Sequence, residues 1–186
     1  MSSFVPAAEG APRQLRPTEV KRLNREWRRA GDTRLALLLD SVSQPFNVGS
    51  IIRTAAAFGA GPLWLCGGTA ALSHPGVGKT ALCTQRMVEA VTEPDPVAAA
   101  KAAAAAGLRV VAVELATGAV PLPDAPLDGD VCLAFGNEDR GCTAALLAVA
   151  DAVTYIPQSG RVGSLNVAVA AAVAMAEARR REWAPG

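Results

Sequence analysis

Histidine is almost missing. The chain holds one, His74, among 186 residues, which disfavours imidazole-based metal centres and histidine proton relays. Cys66, Cys83, Cys132 and Cys142 are widely spaced and form no C-x-x-C pair. That argues against a zinc site or a redox pair and leaves them as small buried apolar residues in a reducing compartment. Aromatic residues make up only 4%, and Trp27, Trp64 and Trp183 read as packing residues rather than base-stacking platforms. Long apolar runs are lacking too. The strongest, over 167–176, is alanine-rich and meets Glu177 and three arginines well short of the roughly 20 residues a membrane span requires. No basic segment followed by an apolar core stands at the start, so no secretory signal is expected and the cytoplasm is the default location.

What is present is small and apolar. Hydrophobic residues make up 51%, and 39 residues are alanine. Such a chain buries enough surface to fold, which excludes a disordered polymer. Its length suits one domain with a short extension. The net charge of +1 says little, but its distribution says more. Eight basic residues (Arg13, Arg16, Lys21, Arg22, Arg25, Arg28, Arg29, Arg34) stand against Glu19, Glu26 and Asp32. Arg179, Arg180 and Arg181 form a second cluster. Basic ends around a mildly acidic middle can present a polyanion-binding face in a near-neutral protein.

Residues 1–16 read as a loose arm and 18–30 as a helix with Val20, Leu23 and Trp27 on one face. The run 34–40 suits a strand buried on both faces. A helix is expected over 47–58 with Gly59 as its stop, a strand over 61–66, then a glycine-rich loop and a short strand at 86–91. A helix over 96–106 and strands at 108–115 and 130–135 follow. The remainder reads as a helix over 143–150, a strand over 152–156 and a long helix from Ser164 to Trp183. Strands alternating with helices predict an α/β fold with a parallel sheet, whose ligands bind at the carboxyl ends of the strands.

One segment imitates a nucleotide site. Ser73 to Thr80 ends in Gly-Lys-Thr like a phosphate-binding loop, but Ser73 replaces the first glycine, and no strand leads directly into it. Gly76, Gly78 and Ala81 also fit G-x-G-x-x-A and fail for the same reason. A nucleotide triphosphatase using Lys79 is therefore disfavoured, and His74 reads as an exposed polar residue.

Three strand-following loops carry unusual chemistry. The first holds Asn47, Gly49 and Arg53. Asn47 is placed to cap the helix, and Arg53 lies six positions on, about 600° round, not far from the face of Gly49. The second, after an apolar strand, reads Gly136-Asn137-Glu138-Asp139-Arg140-Gly141, where glycines allow tight turns and close approach. Glu138 also has a plain alternative, as a helix-capping carboxylate before Thr143. The third runs from Ile156 through Gly160 and Gly163 to Ser164, Leu165, Asn166 and Val167.

In this order, N-x-G-x-x-x-R, G-N-E-x-x-G and I-P-x-x-G-x-x-x-S-L-N-V resemble the three signature motifs of the SpoU/TrmH family of RNA 2′-O-ribose methyltransferases, within the SPOUT superfamily. The resemblance spans roughly 34–181. It implies a Rossmann-like, mostly parallel sheet whose C-terminal part forms a deep trefoil knot, with 34–183 as the methyltransferase domain and 1–33 as a basic extension carrying one short helix. It also implies S-adenosylmethionine as methyl donor, bent in the knot loops and held largely by backbone groups, with contacts from Gly136, Ile156 and Leu165 and the loop after Val113 nearby. No metal is implied. The partner would be RNA, tRNA first and rRNA as the alternative, and the chain would act as a homodimer with RNA spanning both subunits. A non-catalytic RNA-binding module is the reading from another class.

A sulfonium methyl is already activated, so the protein's task is to align a ribose hydroxyl and help its proton leave. The resemblance makes Arg53 the central catalytic residue. Arginine is hard to deprotonate, which favours phosphate binding and oxyanion stabilisation over a base role. Asn47 and Glu138 would orient Arg53 or the loops, and Ser164 and Asn166 would hydrogen-bond the substrate end. Gln158 stands where the family often has methionine. With few residues ahead of the first strand, substrate selection is expected to rest on the basic helix, the C-terminal tail and the domain itself.

Overall fold

A computed structural model describes residues 12–183; the part of the loose arm expected over 1–11 lies outside them. The chain divides into two compact units, Met1–Asp32 and Thr33–Gly186. In the first, α1 (Pro17–Arg29) opens on proline, whose fixed φ suits a helix start. The Glu19 carboxylate accepts from the Arg16 N–H at 2.7 Å and pairs with Arg13. The Arg13 guanidinium, then that N–H, hold the half-buried Glu19 carboxyl down at about 2. None of the residues of α1 is buried within its unit.

The second unit is a parallel sheet between two helical layers. Its elements are β1 (Leu35–Asp40), α2 (Pro45–Phe58), β2 (Leu63–Cys66), α3 (Pro75–Ala81), β3 (Ala90–Thr92), α4 (Pro96–Ala105), β4 (Arg109–Val113), β5 (Val120–Pro121), β6 (Val131–Phe135), α5 (Ala144–Val149), β7 (Ala152–Tyr155) and α6 (Val167–Trp183). Strand order is β3-β2-β1-β6-β4-β7-β5, and every pairing is parallel. β1 is buried along its whole length, as its unbroken apolar run requires in a sheet covered on both faces.

Alternation along the strands sorts the core into two layers. Leu35, Leu37, Leu39, Leu133 and Phe135 meet Val48, Ile51 and Ile52 of α2 and Ala171, Ala174 and Met175 of α6. Ala36, Leu38, Cys132 and Ala134 face Ala99, Ala100 and Ala103 of α4 and Leu146 of α5. Alanine on both sides of the second layer lets α4 lie close to the sheet.

Several expectations shift. Residues 75–81, read as loop, form α3, because His74 caps it by accepting from the Gly76 N–H at 3.0 Å and Pro75 occupies the first turn. The strand expected at 86–91 is displaced to Ala90–Thr92, since Thr84–Arg86 coil into a 3₁₀ turn. The final helix begins at Val167 rather than Ser164. Cys83 is exposed, unlike the other three cysteines. Trp64 is buried and Trp183 stacks on Phe58 with centroids 6.5 Å apart, as packing residues should. The C-terminal arginines have internal partners: Arg179 pairs with Glu182 and donates to the Phe58 and Gly59 carbonyls, while Arg180 and Arg181 both pair with Glu177.

Candidate active site

The loops leaving β1 and β6 meet because those strands are neighbours in the sheet. Glu138 sits where they touch. Its carboxylate accepts from the Ser43 N–H and hydroxyl, both at 3.1 Å, from the Gln44 N–H at 3.0 Å, and from the Asn47 side-chain amide at 2.9 Å. Burial pushes its pKa up, but the bonds from Asn47, Gln44 and Ser43 outweigh that and hold the carboxyl below its ordinary value. It therefore secures the approach to α2 and does not cap α5. That cap is Thr143, whose hydroxyl accepts from the Leu146 N–H.

Asn47 is not the helix cap either. Pro45 starts α2 and Gln44 is the cap position, which frees the Asn47 amide to work between loops. It donates to Glu138 and accepts from the Asn166 amide at 2.9 Å. Asn166 in turn caps α6, accepting from the Ala168 and Val169 N–H groups. One hydrogen-bonded chain, Glu138–Asn47–Asn166, thus joins all three motif segments.

Arg53 stands apart from it. Its side chain is exposed and makes no hydrogen bond or ion pair among the described residues. On the helix it lies some 120° round from Asn47 and about 9 Å along the axis, so Asn47 and Glu138 hold the loops and not Arg53. Ser164 is exposed in the segment before α6 and has no hydrogen bond among the described residues.

Of the three expected cofactor residues, two follow strands β6 and β7, between which β4 lies in the sheet, and the third, Leu165, stands just ahead of α6. Gly136 is buried directly after β6, Ile156 follows β7 and packs partly on the core, and Leu165 is 37% exposed. A Cβ on Gly136 would strike the Gly141 and Cys142 backbone, where Asn137 and Gly141 exchange backbone hydrogen bonds. The segment 157–165 makes no backbone–backbone hydrogen bond among the described residues, so its N–H and C=O groups are available to a ligand.

Three polar residues organise these loops in roles the sequence did not show, although Asn137 belongs to the G-N-E-x-x-G motif. Asn137 donates to the Ser41 carbonyl at 2.8 Å. Asp40, buried at the end of β1, accepts from the Thr143 N–H at 2.8 Å. Glu114, after β4, accepts from the Cys142 N–H at 2.8 Å. The available signal was position, since Asp40 and Glu114 each stand directly after an apolar strand run. Burial, then the Glu114 and Asp40 carboxylates, push the Cys142 thiol up, which favours its protonated form. No group of metal-ligating side chains occurs among the described residues.

Fold and site together define a parallel α/β protein whose ligand end is assembled from strand-end loops tied by side-chain amides and carboxylates. Residues 34–176 match the SpoU rRNA Methylase family, and the chain belongs to it. It is similar to the Acinetobacter baylyi 23S rRNA (guanosine-2′-O-)-methyltransferase RlmB, 34% identical over 151 residues, covering 81% of this chain and 61% of that relative. The SpoU methyltransferase AviRb from Streptomyces viridochromogenes, solved in complex with AdoMet, superposes with a TM-score of 0.73 at 31% identity, over 81% of this chain and 61% of that one. A structure bearing on 2-OH methylation of C/U34 on tRNA superposes at 0.70 with 37% identity, covering 80% of this chain and 96% of that one. The chain spans 61% of the curated relative's length.

Proposed function

We propose that this protein is an S-adenosylmethionine-dependent RNA ribose 2′-O-methyltransferase acting on tRNA. The observation that carries this function is the Glu138–Asn47–Asn166 chain, which brings the three motif segments to one place. The tRNA target is supported by the C/U34 tRNA structure, which this chain matches over 96% of that structure's length. An rRNA target is the second reading, favoured by the likeness to RlmB.

The loop chemistry fits the cofactor. Unpaired backbone groups over 157–165 suit polar recognition, Leu115 and Leu165 offer exposed apolar surface, and the buried Gln158 Oε1 has no hydrogen-bond partner. Gly136, Ile156 and Leu165 would hold the cofactor, which supplies an activated methyl group. The rest falls to the chain's own residues. Arg53 binds the phosphate beside the target nucleotide and stabilises negative charge developing on the 2′-oxygen. Ser164 hydrogen-bonds the ribose end. Asn47, Glu138 and Asn166 keep the loops in register, so little reorganisation is needed when RNA arrives.

A trefoil knot belongs to the same proposal. From β7 the chain returns through 157–166 to α6, which packs on α2 and β6 rather than beside β7. So does a homodimer, supported by Val169 and Val173, which lie four apart on α6 and are 50% and 38% exposed, with Val162 and Leu165 leading into them. The basic 1–33 extension would add phosphate contacts to RNA. No helix among the described residues is long and apolar enough to cross a membrane, and action on tRNA places the protein in the cytoplasm. Arg53→Ala should abolish methyl transfer to tRNA while S-adenosylmethionine affinity, measured by calorimetry, stays near wild type. Full activity in that variant would remove the assigned role.

A further inference from the structure

The stretch from Asp40 to Glu89 contains no acidic residue between those two, yet it carries Arg53, Lys79 and Arg86. It builds α2, α3 and the 3₁₀ turn Thr84–Arg86, which pack against one another. Gly49 sets the closeness of the first pair, because a Cβ there would strike the Val77 carbonyl and Thr80 hydroxyl of α3. Thr80 also donates to the Phe46 carbonyl at 3.1 Å. Arg53 follows Gly49 by four residues, about 40° round the helix, so it emerges on the flank of α2 beside α3 and the turn. Asn47 faces the other flank, toward Glu138 and Asn166.

All three cations are exposed and make no hydrogen bond or ion pair among the described residues. Arg34, Arg179, Arg180 and Arg181 each pair with a carboxylate, and Lys101, Arg140 and Arg161, which also lack a side-chain partner among the described residues, lie on other segments. Apolar groups interleave with them: Phe46 is 54% exposed, Leu82 57% and Met87 76%. Unpaired cations without nearby acids in sequence, mixed with an aromatic face and flexible apolar side chains, suit an RNA strand, whose phosphates need charge and whose unstacked bases need a surface.

We propose that α2, α3 and the Thr84–Arg86 turn form an RNA-backbone track in which Lys79 and Arg86 bind phosphates flanking the one held by Arg53. The Gly-Lys-Thr that imitates a nucleotide loop then serves phosphate recognition through the lysine side chain alone. Phe46 and Met87 support the adjoining bases. This rests on the RNA-methyltransferase function proposed above and names further binding residues for it.

The test compares the full-length protein with Lys79→Ala/Arg86→Ala, using unfractionated tRNA as probe and fluorescence anisotropy across a salt series. Losing two phosphate contacts should lower affinity roughly tenfold or more at moderate salt and reduce the log–log salt slope by roughly 1.5–2. The KM for tRNA should rise with kcat unchanged, and S-adenosylmethionine affinity should match wild type. Lys79→Arg/Arg86→Lys should restore binding, which separates lost charge from lost fold. Lys101→Ala, on α4 across the sheet, should leave the slope alone. Wild-type affinity and slope in the double alanine variant would overturn the track while leaving the enzyme assignment intact. Failure of the wild-type protein to bind tRNA or any other RNA would overturn both.

Discussion

Glu138 is the residue on which most of the site's order depends. It accepts from two backbone N–H groups, a hydroxyl and an amide, none of which a neutral side chain satisfies equally well. Its carboxyl is held below its ordinary value, so the unfolded chain binds the proton more readily. The stability it contributes is therefore present above the ordinary carboxylate range and is lost as pH falls through the lowered folded value. Glu138→Gln should cost about 1.5–3 kcal/mol at pH 7 and flatten the acid limb of the stability curve, read by urea unfolding from pH 7 down to 3. Unchanged stability with an unchanged acid limb would contradict this role. The identity of Glu138 was legible in the G-N-E-x-x-G pattern. Its partners were not, because Ser43 and Asn47 lie far from it in sequence and meet it only where β1 and β6 pair.

At the scale of elements, α2 does two jobs with two flanks. One presents Asn47 to the loops; the other packs on α3 and exposes Arg53. Gly49 of the first motif is structural in this arrangement. Gly49→Ala would gain about 1 kcal/mol in helix propensity, but its methyl would overlap the Val77 carbonyl, a backbone atom that cannot swing away as Thr80 can. The expected result is a net loss of roughly 1–3 kcal/mol, seen as a lower urea midpoint with weaker RNA binding. A variant more stable than wild type would mean that α3 yields freely. Sequence pattern located α2 and its Gly59 stop, and missed α3, because Pro, Gly, Val, Gly and Lys read as loop when the His74 cap and the shelter of α2 are out of view.

For the whole molecule, the exposed Val169 and Val173 on α6 are the surface on which the proposed homodimer rests. Val169→Asp/Val173→Asp should convert the proposed dimer to a monomer in sedimentation equilibrium, with methyl transfer falling alongside. Wild-type protein sedimenting as a monomer at the concentrations used for activity would contradict the dimer. Charge reads differently at this scale as well. The C-terminal arginines, counted as a basic end, are engaged with Glu177, Glu182 and carbonyl groups, whereas Arg53, Lys79 and Arg86 in the first half of the domain make no ion pair among the described residues.

From the sequence alone follow the parallel α/β class, most strand and helix positions and the family motifs that contain Arg53, Asn47, Glu138 and Asn166. Each of these is a local property: apolar runs, periodicity and short spacings are written within a few residues of one another. Only the tertiary structure decided that Asn47 bridges Glu138 and Asn166 instead of capping its helix, and that α2, α3 and the Thr84–Arg86 turn pack together with Arg53, Lys79 and Arg86 exposed. Those outcomes depend on which strand ends become neighbours and how closely two helices approach. Both are set by packing between residues distant along the chain.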